Sequence, residues 1–147
     1  MPIPAAHSWP VAEPFVQRRV ANAADIDEFG HVNNVRYIAW ALDVAWAHSQ
    51  ALGLSFADYE RIGVGCVVWR HEFDYLAPVL EGDAVDIATW FAENDRRVTM
   101  VRAFEMRRAD DSKVVLRGRT KFVCIDLETG KPARMPKEFI EAYRPAR

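Results

Sequence analysis

The sequence predicts an α+β domain in which an antiparallel sheet wraps one long central helix, and three observations predict it. Apolar residues from Val35 to Leu52 recur at helical steps of three and four. Nearly everything downstream alternates with the two-residue period of strands. The strands are joined by short turns, and tight turns permit only antiparallel neighbours.

Taken in order, a proline-punctuated lead (Pro2, Pro4, Pro10, Pro14) gives way to a short strand over Phe15 to Ala21. An acidic, Gly-containing loop follows, Asp25 to Asn34. In the helix, Ile38, Leu42, Ala45, Trp46 and Leu52 mark one side, while Trp40, Val44 and Ala47 mark the other. A helix apolar nearly all round is expected to be buried. Asn33 or Asn34 can supply its N-cap, and Gly53 stands where a left-handed C-terminal residue is wanted. Val67 to Tyr75, Val85 to Phe91, Val98 to Arg107 and Val114 to Ile125 read as four strands of an antiparallel meander. Turns fall around Pro78 and Gly82-Asp83, at Asn94-Asp95 and at Asp110-Asp111-Ser112. Pro136 opens a short terminal helix reaching Tyr143. The long strand through Val67 to Tyr75 leaves an open edge that a second copy can pair with.

Half of the 147 residues are hydrophobic and 27% are charged, the balance of one folded domain over 1–147 rather than of a disordered chain. A formal charge of -2 gives no global attraction to nucleic acid or membrane. The N-terminal stretch has neither the basic start nor the apolar run of a signal peptide or membrane span. Cys66 and Cys124 fit no metal or redox spacing and read as buried free thiols, which suits a reducing cytoplasm. GxSxG, P-loop, dinucleotide and zinc patterns are all absent, so no cofactor or metal is expected.

The loop before the helix concentrates the reactive groups. Asp25, Asp27 and Glu28 can attack an acyl carbon or activate water. They can equally close an Asx turn and complement the positive end of the helix. Gly30 permits positive φ or close approach of a ligand. Free N–H groups at Val32 to Asn34 could polarise a carbonyl. His31 can orient substrate or Asp27, or be a plain loop histidine. Arg96-Arg97, the Arg117-Arg119-Lys121 strand face, and Arg134 with Lys137 can bind phosphates or simply face solvent.

Read as one unit, Asp25-x-Asp27-x-x-Gly30-His31-x-Asn33-Asn34-x-x-Tyr37-x-x-Trp40 resembles the signature of hotdog-fold thioesterases. It is similar to the 4-hydroxybenzoyl-CoA thioesterase-like branch and, in the D-x-D…HVNN run, to plant acyl-ACP thioesterases. Phe73-x-Tyr75-x-x-Pro78…Gly82-Asp83 matches the strand and turn that follow the helix in that family. The resemblance implies a sheet of five or six strands around the helix, and a homodimer or homotetramer with interfacial active sites acting on acyl-CoA. It implies that Asp27 is the catalytic aspartate, that Asn34 donates a backbone N–H to the thioester carbonyl, and that His31 assists. It further implies that Gly30, Asn33 and Tyr37 border the substrate, and that Arg96, Arg97 and Arg134 reach CoA phosphates. Two departures mix the branches: His31 stands where the benzoyl-CoA enzymes have an apolar residue, and Phe29 where the acyl-ACP enzymes have asparagine. Non-hydrolytic acyl-thioester binding is the alternative on the same fold.

Overall fold

The computed structural model describes residues 7–147. Strand β1 (Phe15–Val20) leads through a single 3₁₀ turn (Ala23–Asp25) to helix α1 (Asn34–Ala51), followed by a short helix α2 (Phe56–Ile62). Strands β2 (Val64–Tyr75), β3 (Ala84–Asn94), β4 (Thr99–Arg108) and β5 (Val114–Asp126) come next, and α3 (Lys137–Ala142) ends the described elements. The caps anticipated for α1 are in place. Asn33 accepts the Val35 N–H at 2.9 Å, and Gly53 takes φ 88° just past the C-cap.

The sheet is antiparallel throughout, in the order β1-β3-β4-β5-β2. This corrects the four-strand meander. Only β3, β4 and β5 follow one another, while β2 lies beside β5 on the far edge. The connection around Pro78 is the reason, because it is a crossover and not a hairpin turn. It runs along the end of the sheet, with Leu76 N–H on Val115 O (2.9 Å), Arg108 Nη1 on Pro78 O (2.9 Å) and Gly82 N–H on Ala21 O (2.8 Å). The Asn94-Asp95 turn is a true hairpin. Burial works to raise the Asp95 carboxyl, but backbone N–H groups of Arg97, Val98 and Thr99 outweigh it and hold the group at about 2.

Helix α1 lies across one face of the sheet, and its buried residues come from both of the sides marked in the sequence. Tyr37, Trp40, Ala41, Val44 and Ala45 are buried. Val35 (63% exposed) and Trp46 (39%) look outward, so one flank is uncovered rather than buried all round. Gly118 makes this packing possible on β5: a Cβ there would stand 2.4 Å from the Phe73 ring. The first half of α1 packs on Val85, Ile87, Phe104 and Met106. Beyond its second half, Tyr59, Phe91, Met100, Phe139 and Tyr143 form a second cluster. Cys66 and Cys124 are free thiols facing each other across β2 and β5.

The other face of the sheet has polar cores of its own. Asp86 is sealed, with Arg18 Nε at 2.7 Å and His7 Nε2 at 2.7 Å. Burial raises its carboxyl, and Arg18 with His7 more than offsets that. Glu105 is held by Arg107 and Arg117 at 2.7 and 2.9 Å. Arg119 pairs with Glu93, as Arg117 does with Glu105, while Lys121 lies 5.9 Å from the Trp69 ring, so two of the three charges on the 117-119-121 face are paired within the sheet.

Candidate active site

The three loop carboxylates divide by role. Asp25 is buried and structural. It completes a capping box with Asn22, its backbone oxygen accepts the Asn33 N–H at 2.8 Å, and Arg36 reaches it at 3.4 Å. Glu28 is exposed. Asp27 sits between them, half-buried, at the mouth of a groove of about 540 Å³ shared with Phe29, His31, Asn34, Tyr37, Tyr75 and Pro78.

Local geometry aims Asp27 at that groove. A bridge between Ile26 and Val32 pins the two ends of the loop. Asp27 N–H donates to His31 O at 2.9 Å, and Gly30 N–H returns to Asp27 O at 3.0 Å, which needs the φ of 79° at Gly30. Asp27 Oδ1 accepts the Phe29 N–H at 2.9 Å, an Asx turn, while Oδ2 has no hydrogen-bond partner among the described residues. The turn and a reactive role therefore use different oxygens. His31 lines the same groove, and no hydrogen bond joins its ring to Asp27 among the described residues.

At the helix start the supply of N–H groups is narrower than the range Val32 to Asn34. Val32 N–H is taken by Val79 O (2.8 Å), Asn33 N–H by Asp25 O, and Val35 N–H by the Asn33 side chain. That leaves Asn34 N–H, the first residue of α1, without a protein acceptor among the described residues. Asn34 lines the same groove as Asp27. Tyr75 closes the floor: its hydroxyl donates to Asn34 O at 3.2 Å, and its ring meets Tyr37 edge-on at 5.5 Å. Burial pushes the Tyr37 phenol up to about 12, so it stays protonated. Sequence reasoning missed Tyr75 and Val79 as parts of this site. The Tyr75-x-x-Pro78 spacing was visible, but not that the crossover folds back onto the loop.

The basic residues are not brought to this groove. Arg96 and Arg97 sit in the β3–β4 hairpin, and Met135 N–H donates to Arg97 O, which places Arg134 beside them. The groove lies at the other end of β3, about 30 Å away at ~3.3 Å per residue.

The sequence pattern of the thioesterase-like superfamily matches residues 21–143, from the loop to the last helix. The chain belongs to this superfamily. Among relatives, "Putative acyl-CoA thioesterase YneP" of Bacillus subtilis (strain 168) is 24% identical over 116 residues, 79% of this chain and 83% of that protein. Slr0204, a 1,4-dihydroxy-2-naphthoyl-CoA thioesterase from Synechocystis, superposes with a TM-score of 0.80 at 20% identity, covering 89% of this chain and 96% of its own. SAV2348 from Staphylococcus aureus, a hypothetical protein solved in complex with CoA, reaches a TM-score of 0.82 at 16% identity, covering 92% and 84%. The fold is the thioesterase hotdog, a five-stranded antiparallel sheet around α1 in the described residues.

Proposed function

We propose that this superfamily member hydrolyses acyl-CoA thioesters at the Asp27 groove, releasing a carboxylate and free CoA thiol. One observation carries the reading: Asn34, whose N–H has no acceptor at the head of α1, lines the same groove as Asp27, whose Oδ2 has no partner among the described residues. The N–H and the positive end of the helix would stabilise the oxyanion that develops on the thioester oxygen. Asp27 Oδ2 would attack the carbonyl carbon and expel CoA thiolate, leaving an acyl–Asp27 anhydride that water then hydrolyses, or it would take a proton from water that attacks the thioester directly; in either route a proton from that water ends on the CoA thiolate. His31, across the groove, would orient the thioester, and Gly30 and Asn33 keep the loop open to it. Tyr37 would border the acyl group. Named relatives that act on CoA esters support the substrate class.

A homodimer pairing two β2 edges completes the site. Val67 (40% exposed), Val68 (41%) and Trp69 (67%) lie on that edge. Antiparallel pairing about a two-fold axis sets the Tyr75 end of one strand against the Val64 end of the other. Arg96, Arg97 and Arg134 stand at the Val64 end, so they would reach CoA phosphates on the neighbouring protomer. Two free thiols suit a cytoplasmic setting.

The test is thiol release from a panel of aromatic and aliphatic acyl-CoAs. Asp27→Asn is expected to lower kcat by about 10²-fold or more with the fold intact. An unchanged rate would remove Asp27 from the reaction. Tight CoA-ester binding without turnover by the wild-type chain would make it a binding module instead. Single-turnover reaction in ¹⁸O-water separates the two chemistries, since only nucleophilic attack labels the Asp27 carboxylate.

A further inference from the structure

Behind the second half of α1 lies a cavity of about 70 Å³ that contains a cation with no anion. Arg102 is 3% exposed and projects from β4 toward the helix. No carboxylate of the described residues pairs with it, although Asp86 and Glu105 on the other face each hold two basic partners. Its partners are neutral: His48 Nδ1 at 2.8 Å, Thr89 Oγ1 at 3.3 Å and Ser49 Oγ at 3.4 Å, with the Phe91 ring centred 4.2 Å from its Cζ. Burial and the nearby guanidinium hold His48 at about 4, so it accepts as a neutral ring. Burial brings Arg102 down to about 10, which leaves it charged at neutral pH.

The cluster is also rich in donors. A guanidinium carries five N–H groups, and three bonds account for the contacts above. Tyr143 hydroxyl donates to Ser49 Oγ at 3.0 Å, and Tyr59 hydroxyl is bonded to that of Tyr143. Both phenols are raised, first of all by burial, and stay protonated, so an entering anion can take either hydroxyl proton in exchange for its present acceptor. Ser49, Tyr59, Tyr143 and Arg102 all line the cavity, whose remaining wall is largely apolar. A buried positive charge facing a cavity, with only neutral acceptors around it, is complementary to an anion. The space is large enough for a carboxylate.

We propose that this cavity is a carboxylate subsite that receives the acidic far end of the acyl group, so that the preferred substrates are ω-carboxyacyl-CoA thioesters. The assignment rests on the thioesterase reading above and on its paired β2 edges. Within one protomer, Asn34 and Ser49 are about 22 Å apart along α1, at 1.5 Å per residue. Across the pair the geometry differs. Tyr75 borders the Asp27 groove, and Cys66, near the other end of β2, borders the cavity. An antiparallel β2 pair therefore sets the groove of one protomer beside the Arg102 cavity of its partner.

Equilibrium binding of adipoyl-CoA and hexanoyl-CoA to the full-length Asp27→Asn chain tests this without requiring turnover, and thiol release by the wild type runs beside it. The series extends to longer matched pairs. At one chain length the ω-carboxyl ester is expected to bind at least about tenfold more tightly, as one hydrogen bond to a charged group supports. Arg102→Met in the same background is expected to reverse the preference toward the methyl-ended ester. Tyr143→Phe, which keeps the ring, is expected to reduce the discrimination about threefold, as loss of a neutral hydrogen bond does, and it serves if Arg102→Met fails to fold. Equal or tighter binding of the methyl-ended ester at every length overturns the proposal. Arg102-dependent binding of free adipate without discrimination between the esters assigns the cavity to a free carboxylate and overturns the acyl assignment. Discrimination in binding with no thiol release from any ester defeats the hydrolytic reading alone and leaves the subsite standing.

Discussion

Arg102 and Glu105 stand three residues apart on β4, one on each face of the sheet, and both are almost sealed from water at 3% and 1% exposure. Glu105 is answered from both sides, by Arg107 and by Arg117, and those arginines keep contact with solvent. Arg102 is answered by a neutral imidazole and two hydroxyls. A buried charge needs partners, and a chain that can place two cations around Glu105 could have placed a carboxylate near Arg102. The outer centre is complete within the fold. The inner one is incomplete, and incompleteness beside a cavity marks a place for a ligand rather than for stability.

The comparison can be broken from either side. The largest effect is expected from the outer face: Arg107→Met with Arg117→Met strands the Glu105 carboxylate and should cost about 3–5 kcal/mol in urea unfolding. An effect near zero would mean that Glu105 finds other partners. Arg102→Met should act with the opposite sign. Replacing an uncompensated buried cation by an apolar chain of similar length should raise stability by about 1 kcal/mol or more. A loss of several kcal/mol in the unliganded protein would show that Arg102 holds the fold together.

A further effect is in pH. The unfolded chain protonates His48 below 6.5 and the folded one only below about 4, so folding expels a proton in that window. Stability should be full above 6.5 and fall as pH drops toward 4. Burial is the main cause and the Arg102 charge the second, so the slope should be shallower in Arg102→Met. Urea midpoints across that range measure both.

Much of this architecture was legible in the residues. The α1 pattern, its Asn33 cap, the five strand segments and the Asp27 loop all follow from local spacing, which local physics decides. Strand order did not follow, because the segment around Pro78 looks like a turn locally and is a crossover only through bonds to Val115, Arg108 and Ala21. Helix α2 was missed because its seven residues are too few for periodicity, though Ser55 and Asp58 carry the capping-box spacing. The exposed flank of α1 was not legible because both sides are apolar, and only the sheet decides what it covers. Arg102 left a faint trace: it falls in phase with Met100, Phe104 and Met106, a charge on the apolar side of a strand. The site loop was legible as a motif, while the division of labour between Asp25 and Asp27, and the occupied N–H groups of Val32 and Asn33, needed coordinates.

The head of α1 carries one more consequence. The first position of a helix is the one where proline is most at home, since its missing hydrogen has no intrahelical partner to lose. Asn33, at φ -61° and ψ 137°, already has the backbone that a following proline requires. Proline at position 34 would therefore suit the helix while removing, along with the carboxamide, the backbone N–H that the proposed reaction depends on. At this position, what favours folding and what favours chemistry point to different amino acids. A descendant of this chain could cross from enzyme to inert binder by one substitution that its stability would not register.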